Sequence, residues 1–328
     1  MIEPVFIGID LGGTYVRVGA FTPQGEMLAV DQAPIEARRG PRAGVERIIA
    51  LIETMLGELA SQGRRFDLAG IGFGSTGPVY PELGIIDNPY TLPTWENVSI
   101  FEPLYERFGV PLTLENDADV AALGEYWMGA GQGVKRLYAI TVGTGIGAAF
   151  ILDGRIYRGL NGAHPDGGHQ VIDPSGPQCY CGLRGCWESL AAGPAIARQA
   201  RDRIDESPDS LLLEMCSGDA TQIDARMVAK AATQGDPLAV SVMERAAEYF
   251  SLGVANIIIL FVPEMIVLSG GVMNSLDLFT PALDRMTTDI DVMVPARQVL
   301  IVPAQLGDRA GLYGAAWSVI QKVNGTPV

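Results

Sequence analysis

One histidine and three cysteines stand together in a chain that has only two histidines and four cysteines in 328 residues. His169, Cys179, Cys181 and Cys186 all fall within the segment 168–188, and Gly176, Pro177, Gly182 and Gly185 are interleaved with them. Three thiolates and one imidazole complete the tetrahedral shell of a structural Zn²⁺ site, and the intervening glycines and prolines let the loop fold back onto a single point. A disulfide framework would leave one of the three thiols unpaired, and no secretory signal supports one. Four protein ligands leave no open position, so such a metal shapes its surroundings and does no chemistry itself.

The rest of the chain must supply a core, and its composition allows one. Hydrophobic residues make up 48% of the sequence, and the length suits two domains better than one. A formal net charge of −15 and the lack of any basic run argue against nucleic acid as a partner. Met1-Ile2-Glu3-Pro4 leads directly into a strand pattern with no signal-peptide features. The most apolar stretch, 254–272, is interrupted by Pro263-Glu264 and Gly270-Gly271, so it reads as a buried helix followed by a buried strand. With free thiols and neither export signal nor span, the expected location is the cytoplasm, away from membranes.

Two segments share one plan. Residues 5–21 read as strand, glycine turn and strand around Asp10-Leu11-Gly12-Gly13-Thr14, and residues 137–151 repeat it around Gly143-Thr144-Gly145. Paired glycine-threonine tips, each opening a half of the chain, point to a duplicated α/β domain, with coincidental hairpins as the alternative. An amphipathic helix carries Val45, Ile48, Ile49, Ile52, Met55, Leu56 and Leu59 at helical period and ends at Gly63. Strands follow at 68–73 and 112–114. A helix-rich stretch occupies 195–250, strands are expected at 265–269 and 299–302, and a last helix starts near Arg309.

These pieces suggest a chemistry. Backbone N–H groups in the turn at Gly12, Gly13 and Thr14 can approach phosphate oxygens, while Asp10 can hold Mg²⁺ directly or through water. The turn at Gly143, Thr144 and Gly145 can do the same, so the pair points to a nucleotide held by two domains. No Gly-Lys-Ser/Thr occurs, which removes a Walker A loop, and the spacing of Gly143, Gly145 and Gly147 does not fit a dinucleotide fingerprint. Asp117 sits where a strand gives way to a helix, the position at which open α/β sheets put ligands. It is either a general base for a phosphoryl acceptor hydroxyl or a helix N-cap. Asn116 can bind a neighbouring hydroxyl, and Asp166, His169 and Glu188 around the metal loop can bind others. With one ring nitrogen on the metal, the other nitrogen of His169 is left to donate. His164 lacks a comparable partner and reads as structural, and Cys216 reads as an ordinary thiol.

Taken in order, these motifs resemble those of the ROK (repressor, open reading frame, kinase) family. The resemblance rests on Asp10-Leu11-Gly12-Gly13-Thr14, Glu115-Asn116-Asp117-Ala118, Gly143-Thr144-Gly145-Ile146-Gly147, Gly168-His169 and the cysteine loop through Trp187-Glu188. Ser269-Gly270-Gly271-Val272 and the segment 306–316 extend it over nearly the whole chain. It implies an actin-like, hexokinase-type α/β fold of two domains with a central cleft and a zinc-bound loop. The expected division is residues 1–117 plus 309–328 in a small domain and 118–308 in a large one.

The resemblance also implies ATP-dependent phosphorylation of a sugar hydroxyl. Asp117 would be the base, and Asn116, Asp117, Asp166, His169 and Glu188 would contact sugar. Gly270 and Gly271 would lie beside adenosine, Mg²⁺ would accompany ATP, and a homodimer is a family expectation. Family repressors carry a helix-turn-helix ahead of this module, whereas Asp10 here lies close to the start. Two departures concern the sugar: Asp166 replaces a customary Glu, and Thr91 in Thr91-Leu92-Pro93-Thr94-Trp95 replaces an Asn. The expected substrate is a hexose, glucose or fructose. The alternatives are another sugar such as mannose or N-acetylmannosamine, polyphosphate as donor, and a non-catalytic sugar-sensing regulator.

Overall fold

A computed structural model describes residues 2–325 of the chain. They form two compact units: the chain up to Leu137, with Ala149–His164 and the segment from Ala304, makes the first, and Tyr138–Ala148 with Pro165–Pro303 makes the second.

In the first unit the opening hairpin is β1 (Glu3–Leu11) and β2 (Tyr15–Phe21), followed by β3 (Met27–Pro34). Helix α1 (Pro41–Ser61) begins with proline, which needs no N–H partner in a first turn, and it buries Val45, Ile48, Ile52, Met55 and Leu59 in the core of this unit. Next come β4 (Phe66–Ser75), the short β5 (Val79–Tyr80), β6 (Ile85–Ile86) and β7 (Val98–Ser99), then α2 (Phe101–Phe108), β8 (Leu112–Asn116) and α3 (Asp117–Met128). The main sheet has the order β3-β2-β1-β4-β8, with β1, β4 and β8 parallel. Parallel strands end on one edge, so Leu11 pairs with Ser75 and Ser75 with Asn116 across three neighbouring strand ends. That edge is where the chemistry of this unit collects.

The C-terminal helix (Ala310–Val323) closes the first unit, and glycines set how closely it packs. A Cβ on Gly72 in β4 would lie 1.7 Å from the carbonyl oxygen of Ala315, and one on Gly314 would lie 1.7 Å from that of Val120 in α3. No side chain larger than hydrogen fits at either point. Helix α3 is therefore locked to the C-terminal helix and belongs with the first sheet. The expected boundary after Asp117 therefore falls at the start of a helix that packs on the first unit.

The second sheet contains β9 (Arg136–Val142), β10 (Ile146–Leu152), β11 (Arg155–Ile156), β12 (Met265–Ser269) and β13 (Leu300–Pro303). Its order, β11-β10-β9-β12-β13, repeats that of the first sheet strand for strand. The duplication expected from the two glycine-threonine hairpins is present. Between β11 and β13 lie the cysteine loop and helices α4 (Trp187–Ala191), α5 (Gly193–Arg201), α6 (Leu211–Met215), α7 (Ala225–Thr233), α8 (Pro237–Phe261) and α9 (Thr280–Ile290). The apolar stretch 254–272 is the end of α8 followed by β12, and no helix among the described residues is long and apolar enough to cross a membrane. Cys216 is the buried C-cap of α6, distinct from the loop cysteines.

Candidate active site and metal cluster

Strand β8 delivers Asn116 and Asp117 to the edge of the first sheet, and the two residues divide the work of that junction. Asn116 has extended backbone and its side-chain oxygen accepts from the Ala118 N–H at 2.9 Å, so Asn116 is the N-cap of α3. Asp117 is the first helical residue, and its Oδ1 also accepts from Ala118 N–H at 2.9 Å. The capping role considered for Asp117 thus falls to its neighbour. Burial pushes the Asp117 carboxyl up to about 6, against the pull of the Ala118 hydrogen bond, and the Asp10 charge adds to the rise. A carboxylate in that range accepts a proton near neutral pH while remaining mostly ionised.

Behind Asp117 lies a buried charge network with no local sequence signature. Arg158 contacts the Glu115 carboxylate and lies 3.6 Å from Asp119 Oδ2, while His164 Nδ1 is 3.0 Å from Asp119 Oδ1. His164 therefore does have a partner, which corrects the reading of it as partnerless. Glu115 is pushed up to about 7 by burial, with Arg158 opposing that rise most strongly. The sequence signal was limited to acids at positions 115, 117 and 119 around one strand end. Nothing nearby identified residue 158 as their cation.

At the end of β1, Asp10 Oδ2 is 3.4 Å from Arg17 Nη1, and Arg17 also reaches Asp308 at 3.8 Å. Burial raises the Asp10 pKa and Arg17 opposes the rise. Gly12, Gly13 and Thr14 form the turn into β2, closed by Gly12 N–H donating to the Tyr15 carbonyl at 3.0 Å. A Cβ on Gly13 would lie 2.8 Å from the carbonyl oxygen of Thr91, so this glycine has a structural reason of its own.

The second unit holds the other predicted turns. Gly143, Thr144 and Gly145 join β9 to β10, with Gly143 N–H donating to the Gly145 carbonyl and Gly193 N–H, at the start of α5, to the Gly143 carbonyl, each at 2.9 Å. Gly270, at φ +91°, crosses the end of β9, where a Cβ would lie 2.3 Å from the Val142 carbonyl oxygen. The Gly143 and Gly270-Gly271 turns therefore sit at the ends of neighbouring strands β9 and β12. Neither Gly143 nor Gly271 has a positive φ, and a Cβ on either would meet nothing within 4 Å among the described residues. Local packing does not require glycine there, whereas close approach of a ligand to the backbone would.

The four metal-site residues do come together. One ligand atom from each of His169, Cys179, Cys181 and Cys186 lies within 4.8 Å of the other three. His169 Nδ1 is 3.6 Å from Cys179 Sγ, and Cys181 Sγ is 3.5 Å from Cys186 Sγ, spacings close to the roughly 3.7 Å edge of a tetrahedral thiolate shell. The donor set and its spacing fit zinc. The other ring nitrogen of His169 lies 3.1 Å from the Tyr180 hydroxyl and 3.6 Å from Asp166 Oδ2. Glu188 Oε1 is 3.6 Å from both His169 Nδ1 and Cys179 Sγ, and its Oε2 would lie 2.8 Å from a Cβ on Gly145. The cluster, Glu188 and the Gly145 turn are thus one contiguous construction.

Across residues 6–322 the sequence matches the ROK family. The chain is a ROK family protein. It is 33% identical over 323 residues to a glucokinase of Thermotoga maritima, covering 97% of this chain and 98% of that one. The ROK hexokinase of Thermus thermophilus has the same fold, with a TM-score of 0.81 at 32% identity over 98% of this chain and 99% of that one. A ROK family glucokinase from Streptomyces griseus, solved with glucose and AMPPNP, gives a TM-score of 0.74 at 32% identity, covering 97% and 99%.

Proposed function

We propose that this ROK protein transfers the γ-phosphoryl group of MgATP to a hydroxyl of a hexose, with glucose or fructose favoured, and that Asp117 is the general base. The observation that carries the reading is the Asp117 carboxyl itself. It stands at the shared edge of three parallel strands, shares the Ala118 N–H with the N-cap residue Asn116, and is raised to about 6 by burial. The acceptor hydroxyl must lose its proton as the new P–O bond forms, and a carboxylate so placed can take it. Kinship with the glucokinases supports the choice of hexose.

Asn116 has committed its carbonyl oxygen to the cap and offers its amide to a sugar hydroxyl, while Asp166, His169 and Glu188 supply further hydroxyl contacts. Gly13, Thr14, Thr144 and Gly145 offer backbone N–H groups to the phosphates, while Gly12 and Gly143, whose own N–H groups close the two turns, let the phosphates come close to the backbone. Gly270 and Gly271 lie beside the adenosine, and Asp10 faces the magnesium of the nucleotide. Zinc, held by His169, Cys179, Cys181 and Cys186, supplies fixed geometry to the loop and takes no part in proton or phosphoryl transfer. The deciding experiment offers purified protein a panel of hexoses and amino sugars, with ATP or polyphosphate, and scores phosphorylation by sugar-phosphate formation. ATP-dependent turnover on glucose or fructose that is lost in Asp117→Asn supports the reading. Sugar binding with no phosphorylation by either donor refutes it.

A further inference from the structure

Four acids gather at the strand edge that carries the proposed base. Asp10 lies near the end of β1, Glu115 in β8, and Asp117 and Asp119 in the first turn of α3. Asp119 is 0% exposed, and its Oδ2 has no hydrogen-bond partner among the described residues. Like charges packed together oppose one another's ionisation, so a base in their midst works near neutral pH only if its neighbours are neutralised.

The cations come from three other elements. Arg17 in β2 lies 3.4 Å from Asp10, with Asp308 on its other side at 3.8 Å. Lys322 of the C-terminal helix adds its charge to that of Arg158 in favouring ionised Glu115. Arg158 and His164 stand at the two sides of one loop, whose neck is closed by Gly159 N–H donating to the Ala163 carbonyl at 2.8 Å. From that neck the two side chains approach different oxygens of Asp119, Arg158 at Oδ2 (3.6 Å) and His164 at Oδ1 (3.0 Å).

Three of these cations keep their charge throughout the neutral range, and the fourth does not. Histidine ordinarily gains its proton between about pH 5 and 8. Asp117, at about 6, titrates in the same window. Beyond burial, its carboxyl feels Asp10 and Asp119 as like charges and His164 as the opposing one. As pH falls, the imidazole therefore gains charge where the base would otherwise begin to lose its own.

We propose that His164, seated on Asp119, is a positioning residue that extends the working range of the Asp117 base toward acid pH. This rests on the sugar-kinase reading with Asp117 as base. His164 acts by neutralising Asp119 and needs no contact with the reacting atoms.

The test is the pH profile of the single-turnover rate on the accepted hexose, from pH 5.5 to 8.5, in wild type and three variants. These are His164→Asn, His164→Lys and the double variant His164→Asn with Asp119→Asn. Asparagine keeps a donor at the Nδ1 position and cannot take a charge. The His164 side chain is 22% exposed, which leaves room for the lysine ammonium. His164→Asn should move the acid limb up by about 0.5–1 pH unit, lowering the rate at pH 5.5 about 3- to 8-fold. The rate at pH 8 and the KM for sugar should stay within about twofold of wild type. His164→Lys, a cation at every pH tested, should hold the limb at or below its wild-type position. The double variant has no acid left to neutralise, so its limb should return to within about 0.3 unit of wild type. An unmoved limb in His164→Asn, a rate lowered equally at every pH, or a double variant worse than the single one overturns the proposal and leaves the kinase assignment intact. A wild type with no acid limb near pH 6 overturns it together with the role of Asp117. Failure of the wild type to phosphorylate any hexose overturns the kinase reading as well.

Discussion

Arg158→Met provides a test of the charge network behind Asp117 that does not depend on knowing the substrate. Glu115 is 4% exposed and Asp119 is 0% exposed, so neither can replace a lost partner with water. Arg158 is the cation between them, and Asp119 Oδ2 has no hydrogen-bond partner among the described residues. Methionine preserves much of the arginine stem and removes the charge. Leaving a buried carboxylate without its cation costs about 3–5 kcal/mol when the group stays ionised.

The cost must depend on pH. Burial already raises Glu115 to about 7, and removal of Arg158 raises it further because Arg158 is the main opposing influence. A folded-state pKa above the unfolded value makes stability fall as pH rises through the folded pKa. Below pH 6 Glu115 is protonated in both proteins, so its contribution to the difference vanishes. Above pH 7 the wild type holds the ionised, paired form and the variant does not. The gap should then widen by up to about 1.4 kcal/mol per pH unit until the variant's Glu115 also ionises. Urea unfolding of both proteins at pH 6, 7, 8 and 9, compared at constant denaturant slope, measures it. A deficit of equal size at all four values would show that packing of the arginine stem matters and its charge does not.

Asp117→Asn should preserve the fold and sugar binding while lowering kcat by about 10²–10⁴, and wild-type kcat should fall as pH drops through about 6, because the base is lost on protonation; sugar calorimetry with a pH–rate profile checks both. Gly143→Ala places a methyl where no described atom stands within 4 Å, so it should raise the KM for ATP at least about tenfold with an unchanged melting temperature, whereas an unchanged KM removes this turn from the nucleotide site. Metal analysis should find one zinc per chain. Removing the zinc, or making Cys181→Ser, should lower sugar affinity by about 100-fold and ATP affinity by only a few-fold, since Glu188 also touches the Gly145 turn; full activity in metal-free protein would exclude the organising role.

The features legible in the sequence are those whose partners are close along the chain or obey a short period. The cysteine loop declares itself because three of its four ligands fall within 179–186, and α1 does so because Val45, Ile48, Ile52 and Met55 follow the helical repeat. The sheet duplication was readable from its two hairpins. Asp117 was visible as a residue at a strand–helix junction, but that the cap belongs to Asn116 could be read only from the structure. Arg158 meets Glu115 across 43 positions, and Asn88 reaches Thr76 from a loop without repeating pattern. Such pairings depend on strand order and loop path, which local propensity does not encode. The fold was thus largely readable, while the charge network around Glu115 and Asp119 was not.

The tight seat of the C-terminal helix makes the two ends of the polypeptide folding partners. Phe6 and Phe21, near the start, are buried against Val319, Ile320, Leu312 and Ala316. During synthesis, the first sheet emerges long before these residues and waits with an apolar face uncovered until they follow. Its closure requires contacts between residues far apart in sequence, which are slow to form. In that interval its exposed apolar face is prone to aggregation.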